Sequence, residues 1–161
     1  MFWTRVTADI VIALYFAAVV ARIHLGHWSG IARMGWFAAW LGLCGHLLTA
    51  YGEVHGWSHL SAWEHTRLET LRITGWNSGA GLWFNFVTLW VWTAEAIRIG
   101  GCHAPRCAGI SAVFATACQV WIAFMMFQSA VVFAEGLVRW LSLAGAVTIL
   151  AVAARRRRGS A

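Results

Sequence analysis

A polar segment between residues 51 and 70 carries most of the side chains that could do chemistry. It contains three of the seven histidines and three of the six acidic residues, in a chain that is otherwise almost continuously apolar. Neutral imidazoles and carboxylates are nitrogen and oxygen donors that bind transition-metal ions in proteins. The segment therefore predicts a metal site, with three histidines as the main ligands and two carboxylates or a further histidine to complete the shell. The three main candidates are His55, His59 and His65, the two carboxylates are Glu69 and Glu53, and the further histidine is His46.

The spacing of these residues predicts that a helix would bring them together. If residues 55–73 form one helix, about 100° per residue places His59 roughly 40° to one side of His55. Glu69 then lies roughly 40° and His65 roughly 80° to the other side, so all four share a face. The opposite face carries apolar side chains, which predicts an amphipathic helix lying on the membrane surface. Those side chains are Trp57, Leu60, Leu68 and Leu71.

The donor set suits zinc, copper(II) or, where coordination positions stay open, non-haem iron. Two other interpretations stand beside the metal site: a structural histidine network on a surface helix, and a pH-responsive role for the imidazoles. The pattern indicates no substrate and no reaction. The cofactor prediction therefore goes no further than a transition metal.

Haem and cysteine chemistry are weaker alternatives. Haem b held by two histidines requires those histidines on facing helices at the same depth in the membrane. The last three apolar segments contain no histidine. Met125, Met126 or a second subunit would have to supply the missing ligand, so haem b is not favoured. Cys102 and Cys107 flank a histidine-containing loop and could bind zinc or cycle as a dithiol, but their spacing matches neither C-x-x-C nor a four-ligand zinc module.

Composition predicts the class of protein that holds this segment. The chain of 161 residues is 60% hydrophobic and 11% charged, with a mean hydropathy of +0.66, whereas soluble domains are about 25% charged. We therefore expect an all-α integral membrane bundle in a lipid bilayer, as a single transmembrane domain over 1–161. The net charge of +6 does not indicate nucleic-acid binding, because the arginines lie at predicted helix ends and in the tail Arg155–Arg158.

About five spans are predicted from apolar segments near the roughly 20 residues that cross a bilayer. The stretch 108–154 could instead hold one span and a re-entrant segment. Five spans would put eight arginines on one side and four on the other, so the first side is predicted to be cytoplasmic. The N-terminus and loop 52–78 would then face outward from a bacterial inner membrane, with the arginine tail inside. The predicted spans are 6–23, 31–51, 79–99, 108–134 and 137–154.

Within these spans, Glu95 lies one turn before Arg98, which predicts an ion pair near the end of the third span. Glycines at 42, 45, 79 and 81 are small residues suited to close helix packing. Such packing favours assembly with other membrane subunits or with further copies of the chain.

The segment His55-Gly-Trp-Ser-His59 and the span start at Gly79 to Asn85 resemble a group of small multipass inner-membrane proteins of bacteria. The resemblance covers roughly residues 45–95, with a looser echo over 131–140. It supports a multipass membrane fold and directs attention to His55, His59, Thr66 and Asn85 without giving them roles. No activity is carried over from it.

Two functional hypotheses follow. The first is a membrane protein with a transition-metal or redox-associated site at the outward histidine-rich loop. The second is an accessory subunit of a larger membrane complex whose histidines are structural. Whether the chain is an enzyme is left open by the sequence.

Overall fold

The computed structural model describes residues 2–101, 112–133 and 137–159, and these residues form helices and short connections without a β-strand. The all-α prediction is confirmed. The cysteine pair Cys102 and Cys107, and the turn at Glu135, lie outside the described residues. The helices are α1 (Phe2–Leu25), α2 (Gly30–Thr49), α3 (His59–Thr74), α4 (Gly81–Gly101), α5 (Ala112–Phe127) and α6 (Leu137–Gly159).

Two π-helical segments extend helices α2 and α5 at their C-terminal ends. Ala50–Val54 follows α2 directly, and Gln128–Phe133 follows α5 directly. Within the described residues, three stretches are long and apolar enough to cross a membrane: Phe2–Leu25, Gly30–Val54 and Val113–Val131. These agree with a membrane protein, while the count of five spans stays a prediction.

Helices α1 and α2 pack closely because small residues face each other. A Cβ atom on Gly42 would lie 2.9 Å from a methyl carbon of Val11, and one on Gly35 would lie 3.2 Å from the Cβ of Ala18. By contrast, a Cβ on Gly45 would meet nothing within 4 Å. In a bilayer, such small residues let helix backbones approach and gain dispersion contacts. The glycine pattern therefore serves packing within the chain, at least at Gly35 and Gly42.

Aromatic rings fill the centre of the bundle. Trp36 of α2 and Trp92 of α4 are fully buried, with ring centroids 5.2 Å apart, and Tyr15 of α1 lies 5.9 Å from each. Trp28 stacks edge-on against Trp36 at 5.0 Å. The indole nitrogens of Trp36 and Trp92 have no hydrogen-bond partner among the described residues. These rings join α1, α2 and α4 into one core, to which α5 adds Ile122 and Met126.

The predicted ion pair in the third span is present in α4. The carboxylate of Glu95 is fully buried, and Arg98 donates to both of its oxygens at 2.6 Å. Gln119 of α5 donates a further hydrogen bond to the same carboxylate. A buried charge is tolerated only when it is paired and hydrogen-bonded, and these three donors meet that requirement.

The histidine-rich helix begins later than predicted. Ser58 is its N-cap and accepts a hydrogen bond from the Ser61 N–H at 3.2 Å, so α3 starts at His59. Gly56 and Trp57 precede it with φ angles of 53° and 63°, a left-handed conformation that no α-helix continues through. The prediction of one helix over 55–73 is therefore wrong at its first four residues. His55 belongs to the turn before α3.

Candidate functional site

The predicted ligands lie at one end of the bundle, here called the N-terminal end, where α1 and α4 begin and α2 and α5 end. The first π-helical segment and α3 cover this end. Gly79 lets α3 approach the start of α4, since a Cβ there would lie 2.4 Å from the Trp63 ring. The Trp63 ring of α3 therefore packs directly on the chain just before α4.

His55 and His65 form the closest pair of predicted ligands. Their ring centroids are 5.2 Å apart, with the rings inclined edge to face. The Nδ1 atom of His55 is buried and has no hydrogen-bond partner among the described residues. Burial lowers the pKa of His55 below 6.5, and the nearby His65 lowers it further. Both effects favour the neutral form of the His55 ring, which is the form that binds a metal ion.

Tyr51 connects His59 to this pair. Its hydroxyl lies 3.2 Å from His59 Nδ1, within hydrogen-bond distance, and its ring packs edge-on against His55 at 5.8 Å. His59 also packs against Trp83 of α4 at 5.8 Å. His55, His59 and His65 thus belong to one cluster of aromatic rings. The turn before α3 and the Tyr51 side chain bring them together, whereas the prediction was a common face of one helix.

His46 lies apart from this cluster, near the end of α2. Its Nδ1 is 3.1 Å from the carbonyl oxygen of Thr4 and 3.4 Å from the Thr7 hydroxyl, both on α1. A carbonyl can only accept, so the hydrogen of the neutral ring is on Nδ1 and the lone pair is on Nε2. The first turn of α1 therefore orients this imidazole.

The three carboxylates near the histidines have other partners. Glu53 accepts hydrogen bonds from the Thr4 N–H at 3.1 Å and the Thr4 hydroxyl at 3.0 Å, where it neutralises the positive start of the α1 dipole. Glu69 pairs with Arg72 at 2.9 Å. Glu64 pairs with Arg67, and that guanidinium holds the pKa of Glu64 below its ordinary value.

The predicted common face of three imidazoles and a carboxylate is thus not formed. Among the residues that the structure describes, no three His, Cys, Asp or Glu side chains lie close enough to hold one metal ion. His55 with His65 is the pair that comes nearest, and His59 is the next histidine in the cluster. Glu53, Glu69 and His46 are directed to other partners.

A cavity of about 60 Å³ lies beside His46, between α1, α2, α4 and α5. Its polar lining consists of His46, Asn85, Thr88 and Ser129, and its apolar lining includes the side chains of Met125 and Met126. Thr88 already donates to the Phe84 carbonyl at 2.7 Å and accepts from the Trp121 indole at 3.1 Å. His46 thus provides the basic nitrogen of this cavity.

Three residues that matter here were not predicted from the sequence. Tyr51 joins two of the histidines, and Thr4 and Thr7 orient His46 from about 40 positions away in the chain. A threonine in the first turns of an apolar helix has no pattern that indicates its partner. Asn85, to which the resemblance directed attention, lines the cavity. Comparison of the chain with protein-family models, curated proteins and solved structures found no match.

Proposed function

We propose that this chain is an inner-membrane protein that binds a divalent transition-metal ion through histidines at the N-terminal end of its bundle. His55 and His65 are the principal ligands, His59 is the third, and water or a carboxylate completes the shell. The observation that carries the proposal is the buried Nδ1 of His55, which has no protein partner in the described residues and lies beside a second imidazole.

A buried polar atom without a partner costs about 1–3 kcal/mol, and a bound ion would remove that cost. The lowered pKa of His55 supports the same role, because a neutral ring can coordinate without first losing a proton. Binding requires the rings to turn from their edge-to-face contact so that both nitrogens point to one ion. Next to His55, Gly56 and Trp57 both have left-handed φ angles. A non-glycine residue such as Trp57 is strained in that conformation, and strained residues cluster at ligand-binding and active sites.

The proposed topology has five spans, with the N-terminal end of the bundle outward. Helix α4 has 21 residues, about 31 Å at 1.5 Å per residue, and the part of α6 before Arg155 has 18 residues, about 27 Å, so by length each approaches the thickness of a bilayer core. Trp90 and Ile97 of α4 are more than two-thirds exposed, as lipid-facing residues would be. The arginine count supports the orientation, because Arg22, Arg33, Arg98 and the run Arg155–Arg158 lie at the end opposite His55, His59 and His65. Of the described arginines, only Arg5, Arg67, Arg72 and Arg139 lie at the end of those histidines.

The test is metal content, measured by mass spectrometry on untagged protein in mild detergent. We expect about one equivalent of zinc, copper or iron, lost in a His55→Ala/His65→Ala double variant. A His24→Ala/His27→Ala variant is the matched control, because those two exposed histidines lie at the opposite end of the bundle. No metal in the parent after metal is added back, or metal retained in the His55 and His65 variant, would refute the proposal.

The rival function is an accessory subunit with structural histidines. The absence of a three-ligand group among the described residues favours it. An accessory subunit should leave the membrane together with a larger partner in mild detergent, whereas an independent metalloprotein should run alone and keep its metal. Gel filtration of untagged protein from its native membrane separates the two.

A further inference from the structure

The cavity beside His46 has a donor set different from that of the histidine cluster. It combines one imidazole with two thioethers, from Met125 and Met126, both only 5% exposed. Thioether sulfur is a soft ligand that selects Cu(I), and imidazole also suits copper. From this combination we propose that the cavity is a Cu(I) site, with His46 Nε2 and the two methionine sulfurs as ligands.

The orientation of His46 supports a metal ligand at this position. Its Nδ1–H donates to the Thr4 carbonyl, which leaves the lone pair on Nε2, the nitrogen that would bind the ion. Metal-binding histidines usually donate their other ring N–H to a carbonyl or a carboxylate in this way. The Thr7 hydroxyl at 3.4 Å adds a second contact to the same nitrogen.

The charge of the lining favours a monovalent ion. None of the described residues around the cavity is acidic, so bound positive charge would not be neutralised by the protein. The cost of moving an ion out of water rises with the square of its charge, so a divalent ion would be penalised far more than Cu(I).

This inference goes beyond the proposed function and is independent of it. The histidine cluster is proposed for a divalent ion and uses nitrogen ligands, whereas the cavity uses sulfur and lies deeper in the bundle. Variants of His55 and His65 should leave Cu(I) binding unchanged. A negative result for metal binding at one site therefore leaves the proposal for the other site unaffected.

The experiment is Cu(I) titration in competition with bicinchoninate, on full-length protein in which all four cysteines are replaced by alanine. This background removes thiolates, which would bind Cu(I) by themselves. We expect one tightly bound Cu(I), lost in a Met125→Leu/Met126→Leu variant. Methionine to leucine conserves volume, so that variant should fold. Met34→Leu is the matched control, because Met34 is 73% exposed on the surface of the bundle.

Two further variants test the nitrogen ligand and its support. His46→Ala should also abolish tight binding, whereas Thr7→Val should weaken it about 10–100-fold, as expected for loss of a residue that positions a ligand. X-ray absorption at the copper edge should show both sulfur and nitrogen neighbours in the parent. The inference is wrong if the cysteine-free parent binds no Cu(I), if the double methionine variant binds as tightly as the parent, or if sulfur neighbours are not seen.

Discussion

Replacing Gly79 with alanine tests how the histidine-bearing helix α3 is held against α4. The added Cβ would lie 2.4 Å from Trp63 Cε2, and 2.6 Å and 2.8 Å from two further ring atoms. Ordinary contact begins near 3.4 Å, so the indole must retreat by about 1 Å. Overpacking of this kind costs about 1–3 kcal/mol. We therefore expect Gly79→Ala to lower the melting temperature in detergent by about 4–8 °C for a loss near 2 kcal/mol.

The matched control is Gly45→Ala, in the interior of α2, where a Cβ would meet nothing within 4 Å. Alanine is a better helix former than glycine by about 1 kcal/mol, so this variant should be unchanged or more stable. The same two proteins are then compared for metal binding, because displacement of α3 moves His65 relative to His55. Only Gly79→Ala should bind metal more weakly.

A second variant separates the steric cause from any other effect of the substitution. Trp63→Phe makes room for the new methyl group, so the double variant Gly79→Ala/Trp63→Phe should be more stable than the sum of the single effects predicts. Coupling of about 0.5–3 kcal/mol is expected for side chains in contact. Equal melting temperatures for Gly79→Ala and Gly45→Ala, or coupling near zero, would refute the reasoning.

Three other predictions follow from the fold and the site. Gly42→Ala should destabilise the α1–α2 pair by about 1–3 kcal/mol, because its Cβ would lie 2.9 Å from a methyl carbon of α1; chemical denaturation in detergent measures it, and a gain in stability would contradict it. Glu95→Gln should cost about 1–3 kcal/mol because it removes the buried carboxylate charge to which Arg98 and Gln119 donate, whereas Glu64→Gln, in an exposed pair, should change stability by less than about 1 kcal/mol. Because the pKa of His55 is lowered in the folded chain, the unfolded chain takes up a proton at this residue first as the pH falls. The contribution of neutral His55 to the free energy of unfolding is therefore present above pH 6.5 and is lost as the pH falls through the folded pKa. Melting curves from pH 7.5 down to pH 5 should therefore decline less steeply for His55→Gln, and identical slopes would contradict this assignment.

The fold was largely predictable from the sequence because hydropathy and helix length report directly on a membrane bundle. The predicted segments 6–23, 31–51 and 79–99 coincide with helices to within a few residues. Three stretches, Phe2–Leu25, Gly30–Val54 and Val113–Val131, are confirmed as long and apolar enough to span a membrane, and the ion pair of Glu95 with Arg98 was expected from a spacing of one turn. Such features depend on neighbours in the sequence, which a pattern can show.

The candidate site was predictable only in part, because it depends on contacts between distant residues. The segment with the histidines was identified, but the left-handed Gly56 and Trp57 separate His55 from α3, and a helical projection cannot anticipate that turn. Glu53 was predicted as a metal ligand, yet it accepts a hydrogen bond from Thr4, 49 positions earlier. No local pattern indicates such a pairing. The His46 cavity likewise needs four helices to be placed before its lining is known.

The buried aromatic rings make the core an optical reporter of its own folding. Near-ultraviolet circular dichroism detects aromatic side chains held in a fixed asymmetric packing and fades when that packing is lost. With Tyr15, Trp28, Trp36 and Trp92 at centroid distances of 5.0–5.9 Å, the protein carries such a signal where α1, α2 and α4 meet. Its assembly in detergent or in lipid can thus be followed without a label, and each variant can be compared with the parent by the same spectrum.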